Sequence, residues 1–124
     1  MRIYISVSFQ AACAYDASLD PHHLEGYIAL AHAPSLEGPW TKLPWEVLSS
    51  GSANGWDASV TNPAPLFLAN GTALLFYRGT HWPVDGLERI GLAVSSAGWR
   101  GAYGRLGDGK PLWGDGTDAD DPRG

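Results

Sequence analysis

Few side chains in this 124-residue sequence stand at spacings that do chemistry by themselves. His22-His23 has no other His or Cys at ligand spacing, so the pair offers no zinc site. The acidic run Asp115-Gly116-Thr117-Asp118-Ala119-Asp120-Asp121 has a superficial likeness to a calcium loop. It lacks the sixth-position Gly and the distal Glu of an EF-hand, which favours a solvated loop. Cys13 is the only cysteine and reads as a small buried hydrophobe, with no disulfide to staple the fold. No glycine-rich phosphate loop, nucleophile elbow or basic patch interleaved with aromatics is present, and no cofactor or metal is called for. One polar position stands out by its setting, Asn62 in Thr61-Asn62-Pro63-Ala64-Pro65. Prolines cannot donate ladder hydrogen bonds, so Pro63 and Pro65 belong at the start of a strand or outside it, leaving Asn62 exposed at its mouth.

The elements that position Asn62 follow from the residues around it. Leu66 to Leu68 and Ala73 to Tyr77 are apolar, β-favouring runs flanking Asn70-Gly71. That dipeptide accepts the positive φ angles of a type I′ turn, so the segment predicts a β-hairpin. Asn70-Gly71-Thr72 is formally a glycosylation acceptor, but the turn alone accounts for it. Upstream, Ile3, Ile5, Val7 and Phe9 alternate with polar residues and predict a strand, where the apolar core of a leader would be more continuous. Residues 16–25 read as a loop. Gly26 to Ala33 predicts a strand with Ile28, Leu30 and His32 on one face and Ala29, Ala31 and Ala33 on the other. His32 therefore reads as a core histidine. Turn chemistry over Pro34 to Pro39 leads to a short strand from Trp40 to Leu43, and Trp45 to Gly55 reads as a connection.

Composition agrees with an all-β chain. Six Trp, five Tyr and three Phe accompany sixteen Gly and nine Pro, the balance of short strands joined by tight turns. The net charge of −5 disfavours nucleic acid and anionic membrane surfaces as partners. No segment approaches the roughly 20 apolar residues that span a bilayer. The compartment is left open.

The chain also repeats itself. Ile90-Gly91-Leu92-Ala93-Val94 follows Ile28-Ala29-Leu30-Ala31-His32 by 62 residues, and Gly101 to Leu106 follows Gly38 to Leu43 by 63. A period near 60 residues with a hairpin and two further short strands is what one four-stranded antiparallel propeller blade and its loops require. The chain then divides into 1–57, the end of one blade and a connection, 58–114, a full blade, and 115–124, the start of the next. Asp121-Pro122 occupies in that next repeat the place of Asn62-Pro63. Exposed blade edges and an apolar flank predict self-association.

The segments Ile28 to Trp40, Thr61 to Pro65, Tyr77-Arg78-Gly79, Ile90 to Ala93 and Gly101 to Tyr103 resemble glycoside hydrolase family 43 and its relatives. That resemblance implies a five-bladed propeller, of which this chain supplies about two blades, with a carbohydrate ligand in a pocket on the axis. It implies hydrolysis of glycosidic bonds in poly- or oligosaccharides with inversion, by an Asp base, a second Asp and a Glu acid, the carboxyl groups standing far enough apart to admit a water. By position in the repeat Asp121 resembles one of those aspartates. Asn62, its counterpart, can only hydrogen-bond a sugar hydroxyl or a neighbouring acid. Asp57 is a second catalytic candidate, against a simpler role capping the loop beside Gly55. Arg78 is a candidate for binding a sugar carboxylate or pairing with Asp121, against a structural ion pair. His81 and Trp82 are candidates for a loop reaching the pocket, with the indole stacking on a sugar face. Glu25, Glu37, Glu46 and Glu88 all fall in loops or turns, so no general acid is placed and catalysis by these 124 residues alone is not expected. The alternative is a propeller that binds carbohydrate without cleaving it, or an inactive fragment.

Overall fold

The computed structural model describes residues 26–52, 55–80, 88–107 and 110–113, together with the backbone of 3–10. Cys13, His22, His23, His81, Trp82 and the 115–121 run with Asp121 lie outside the described residues. Those described are all-β and contain no helix. In chain order the strands are β1 (Ile3–Gln10), β2 (Gly26–Ala33), β3 (Thr41–Lys42), β4 (Ser59–Phe67), β5 (Ala73–Thr80), β6 (Glu88–Ser95) and β7 (Gly104–Arg105). They form two antiparallel sheets in simple sequential order, β1-β2-β3 and β4-β5-β6-β7.

The internal repeat reappears as a repeated hydrogen-bond pattern. Leu43 N donates to Leu30 O at 2.8 Å, and Leu106 N donates to Leu92 O at 2.8 Å. Val47 N reaches Ile28 O at 2.9 Å, as Leu112 N reaches Ile90 O at 2.7 Å. Ile28 bridges Leu48 and Ile90 bridges Trp113. Even the corner between strands is copied: Trp40 Nε1 donates to Leu36 O at 3.2 Å, and the Tyr103 hydroxyl donates to Trp99 O at 3.0 Å. The second copy uses a phenol where the first uses an indole, with the same reach back over four residues.

The central hairpin forms with two differences from the sequence reading. Gly71 has a φ of 89°, whereas Asn70 is not among the residues at positive φ, so the turn is not type I′. Gly71 N donates to Leu68 O and Leu68 N to Thr72 O, which closes a three-residue loop with a glycine bulge. Asn70 instead accepts from Thr72 N through its Oδ1 at 3.0 Å. The prolines, in turn, lie inside β4 rather than at its start. β4 is the edge of its sheet, and the register breaks between Thr61 and Ala64, so Pro63 sits in a bulge and Pro65 pairs with Leu75 on a strand with a free side.

The sheets pack large face on small face. Residues directly paired across an antiparallel ladder share a face, so Tyr77 with Gly91 and Leu75 with Ala93 form one side of the second sheet. Onto it come Ile28 and Leu30 of β2, both buried, with Leu43, Val47, Leu48 and Val60 completing the cluster. Burial of one such aliphatic side chain contributes about 1.5–3 kcal/mol. His32, on the same face of β2, is half-buried and packs its ring 4.9 Å from that of Trp99, so it borders the core rather than lying within it. Gly26 N donates to Ser59 Oγ at 3.0 Å and so ties the start of β2 to the start of β4.

Candidate functional site

Asp57 is the most constrained acid among the described residues. It stands in the connection just before β4, is 6% exposed, and its backbone carbonyl accepts from Gly51 N at 2.8 Å. Its Oδ2 accepts from Arg105 Nε of β7 at 2.7 Å and from the Tyr77 hydroxyl of β5 at 3.1 Å. Arg105 continues to the backbone carbonyl of Ser49 through Nη2, so one guanidinium joins β7 to both ends of the connection. Trp56 stacks on Tyr77 with ring centroids 5.8 Å apart and 15° between planes, and the Arg105 guanidinium lies 5.9 Å from the Tyr77 ring centre.

The local sequence makes this assembly possible. Gly79 and Gly91 form the floor beneath Trp56. A Cβ on Gly91 would fall 2.5 Å from Trp56 Cη2, and one on Gly79 would fall 2.6 Å from Trp56 Cε3. Only glycine lets the indole lie this close to the sheet. Burial pushes the Tyr77 phenol well above its ordinary value, the Asp57 carboxylate adds to that effect, and Arg105 opposes it. Tyr77 is therefore a neutral hydrogen-bond donor to the carboxylate that pairs with Arg105.

A second polar group gathers at the β4 bulge. Asn62 has a φ of 51° and is exposed. Asn tolerates this left-handed conformation better than most residues, and bulges re-aim a side chain at the rim of a sheet. Its neighbour Thr61 is buried and accepts from Arg78 Nε at 3.1 Å. Arg78 Nη1 forms an ion pair with Glu88 Oε1 at 2.9 Å. Glu88 is the first residue of β6, not a loop residue as its sequence context suggests. Thr61, Asn62, Arg78 and Glu88 thus supply donors and acceptors of both charges at one end of the second sheet.

The structure brings Arg78 together with Thr61, beside Asn62, and sets Asp57 in a separate buried assembly. The sequence reading missed Tyr77 and Arg105 as partners of Asp57. Arg105 matches Lys42 in the repeat, and the change to a planar guanidinium with several donors is the one signal that marks it. Among the described residues no three His, Cys, Asp or Glu side chains are grouped as for a metal ion. No protein-family model matches the chain, and comparison with curated proteins yields no significant match.

Proposed function

We propose that this chain is part of a propeller of the family 43 glycosidase type and that its role is to bind poly- or oligosaccharide. The observation that carries the reading is the β4 bulge: an exposed asparagine in a left-handed conformation, next to a guanidinium oriented by Thr61 and Glu88. Sugar hydroxyls need donors and acceptors together, and this group presents both. Hydrolysis belongs to this reading only where Asp121 meets a general-acid Glu, and the resemblance on which Asp121 rests is a matter of motif and repeat position. Binding without cleavage is favoured by Asp57, whose Oδ2 is already shared by Arg105 and Tyr77. A base must be free to take a proton from water.

The test is titration of arabinose- and xylose-based oligosaccharides into the chain by calorimetry, alongside release of 4-nitrophenol from the matching glycosides. Asn62→Ala is expected to weaken binding about 10-fold, the loss of roughly one hydrogen bond of 1–1.5 kcal/mol. Arg78→Met is expected to do so at least as strongly. Unchanged affinity in both variants, or no binding at all, overturns the reading.

A further inference from the structure

A cleft of about 460 Å³ opens between the connection after β3 and the corner leading into β7. Ligand pockets commonly run from about 300 to 1,000 Å³, so the volume suits a small molecule. Trp45, Glu46 and Leu48 line one wall, and Arg100, Tyr103 and Arg105 line the other. The walls belong to different sheets, yet they are tied: Arg105 reaches across to Ser49 O while its Nε holds Asp57. The cleft is therefore preformed, and a ligand entering it meets little ordering cost.

Among the described residues, three of its side chains make no hydrogen bond or ion pair. Glu46 is exposed and makes no hydrogen bond or ion pair among the described residues. Arg100 lies over the Trp99 ring at 4.6 Å and has no carboxylate partner among the described residues. Trp45 is 52% exposed, a large apolar surface left facing water. Tyr103 is fixed by its bond to Trp99 O, which leaves its ring as part of the wall.

The charges narrow the ligand. Arg105 is neutralised by Asp57, and Glu46 offsets Arg100, so the cleft carries no net charge. A strongly anionic or cationic ligand would leave one of these groups uncompensated. A neutral ligand rich in both hydrogen-bond donors and acceptors uses all of them, while an apolar C–H face meets the indole of Trp45. We infer that this cleft is a second carbohydrate site, remote from the Asn62 bulge, in which Trp45 stacks on a sugar ring and Glu46 and Arg100 bind its hydroxyls. The inference rests on the carbohydrate reading above for the ligand class.

The two sites are separated by following the Trp45 indole N–H and the Asn62 backbone amide in the same nuclear magnetic resonance titration with xylo- and arabino-oligosaccharides. The expected result is that both signals shift, with Trp45→Ala or Glu46→Gln weakening the cleft at least 10-fold and leaving the Asn62 response in place. Trp45 and Glu46 are both exposed, so neither change threatens the fold. A sugar that shifts Asn62 but leaves the Trp45 indole unmoved overturns the second site and spares the first reading. A Trp45 indole shift that titrates in Glu46→Gln with the affinity of the parent chain also overturns it. A titration that moves neither signal overturns both.

Discussion

Asp57 shows how a residue with catalytic chemistry can be spent on architecture. Its carboxylate has its strongest contacts with Arg105, 48 positions later, and with Tyr77, 20 positions later. Removing it leaves a guanidinium and a phenol without their acceptor in a largely buried place. Asp57→Ala is expected to cost about 2–3 kcal/mol in chemical denaturation. Arg105 is partly exposed, which holds that figure below the cost of a fully buried pair. Tyr77 adds a pH dependence. Its folded-state pKa is raised above the ordinary value of 10.0, so its contribution to stability is complete below about pH 10 and is lost as the pH rises beyond. Tyr77→Phe should flatten the alkaline slope of a melting-temperature profile; a slope identical to that of the parent chain would show that Tyr77 does not set it.

Two elements carry most of the placement. The hairpin β4–β5 reads clearly in the residues because Asn70-Gly71 interrupts two apolar runs, and turn chemistry is a local property. Which turn forms is less local. Asn70 is held by its own side chain on Thr72 N, so only Gly71 goes left-handed. The prolines of β4 misled in the same way: an edge strand has one side that needs no donors, and only the sheet order reveals which strand is the edge. The β5–β6 pair carries the glycine floor, where Gly79 and Gly91 admit Trp56. Gly91→Ala would set a methyl group 2.6 Å from the Tyr77 hydroxyl oxygen. The rigid rings of Tyr77 and Trp56 must then shift, and destabilisation of about 1–3 kcal/mol is expected. Equal midpoints for this variant and the parent in urea would contradict the close packing.

At the scale of the molecule, one face of the second sheet has no sheet against it among the described residues. Arg78 and Ile90 lie on it, as do Phe76 with Leu92 and Leu66 with Leu74 and Val94. Leu66 is 50% exposed and Ile90 38%. In the first sheet the matching residues, Ile28 and Leu30, are buried against a neighbour. Pro63 and Pro65 blunt the β4 edge, so the proposed contact between copies falls on this apolar face rather than on strand edges. The chain is expected to associate with rising concentration in sedimentation velocity, and Leu66→Lys with Ile90→Glu to return it to the monomer. A parent chain that sediments as a monomer at high micromolar concentration would refute this.

The strands β1, β2 and β6, the hairpin and the repeat at 62–63 residues are legible in the residues alone. Alternation, turn residues and similarity between segments act over a few positions, and they leave a direct trace in residue type. Tertiary structure alone decided what the charged residues do. Arg78 meets Glu88 across the β5–β6 ladder, and Asp57 meets Arg105 because the connection folds over the second sheet as far as β7. The cleft of Trp45 and Arg100 exists only because two corners of different sheets meet. A contact of that kind depends on the stacking of whole sheets, and no local pattern of residues encodes which distant side chain will arrive.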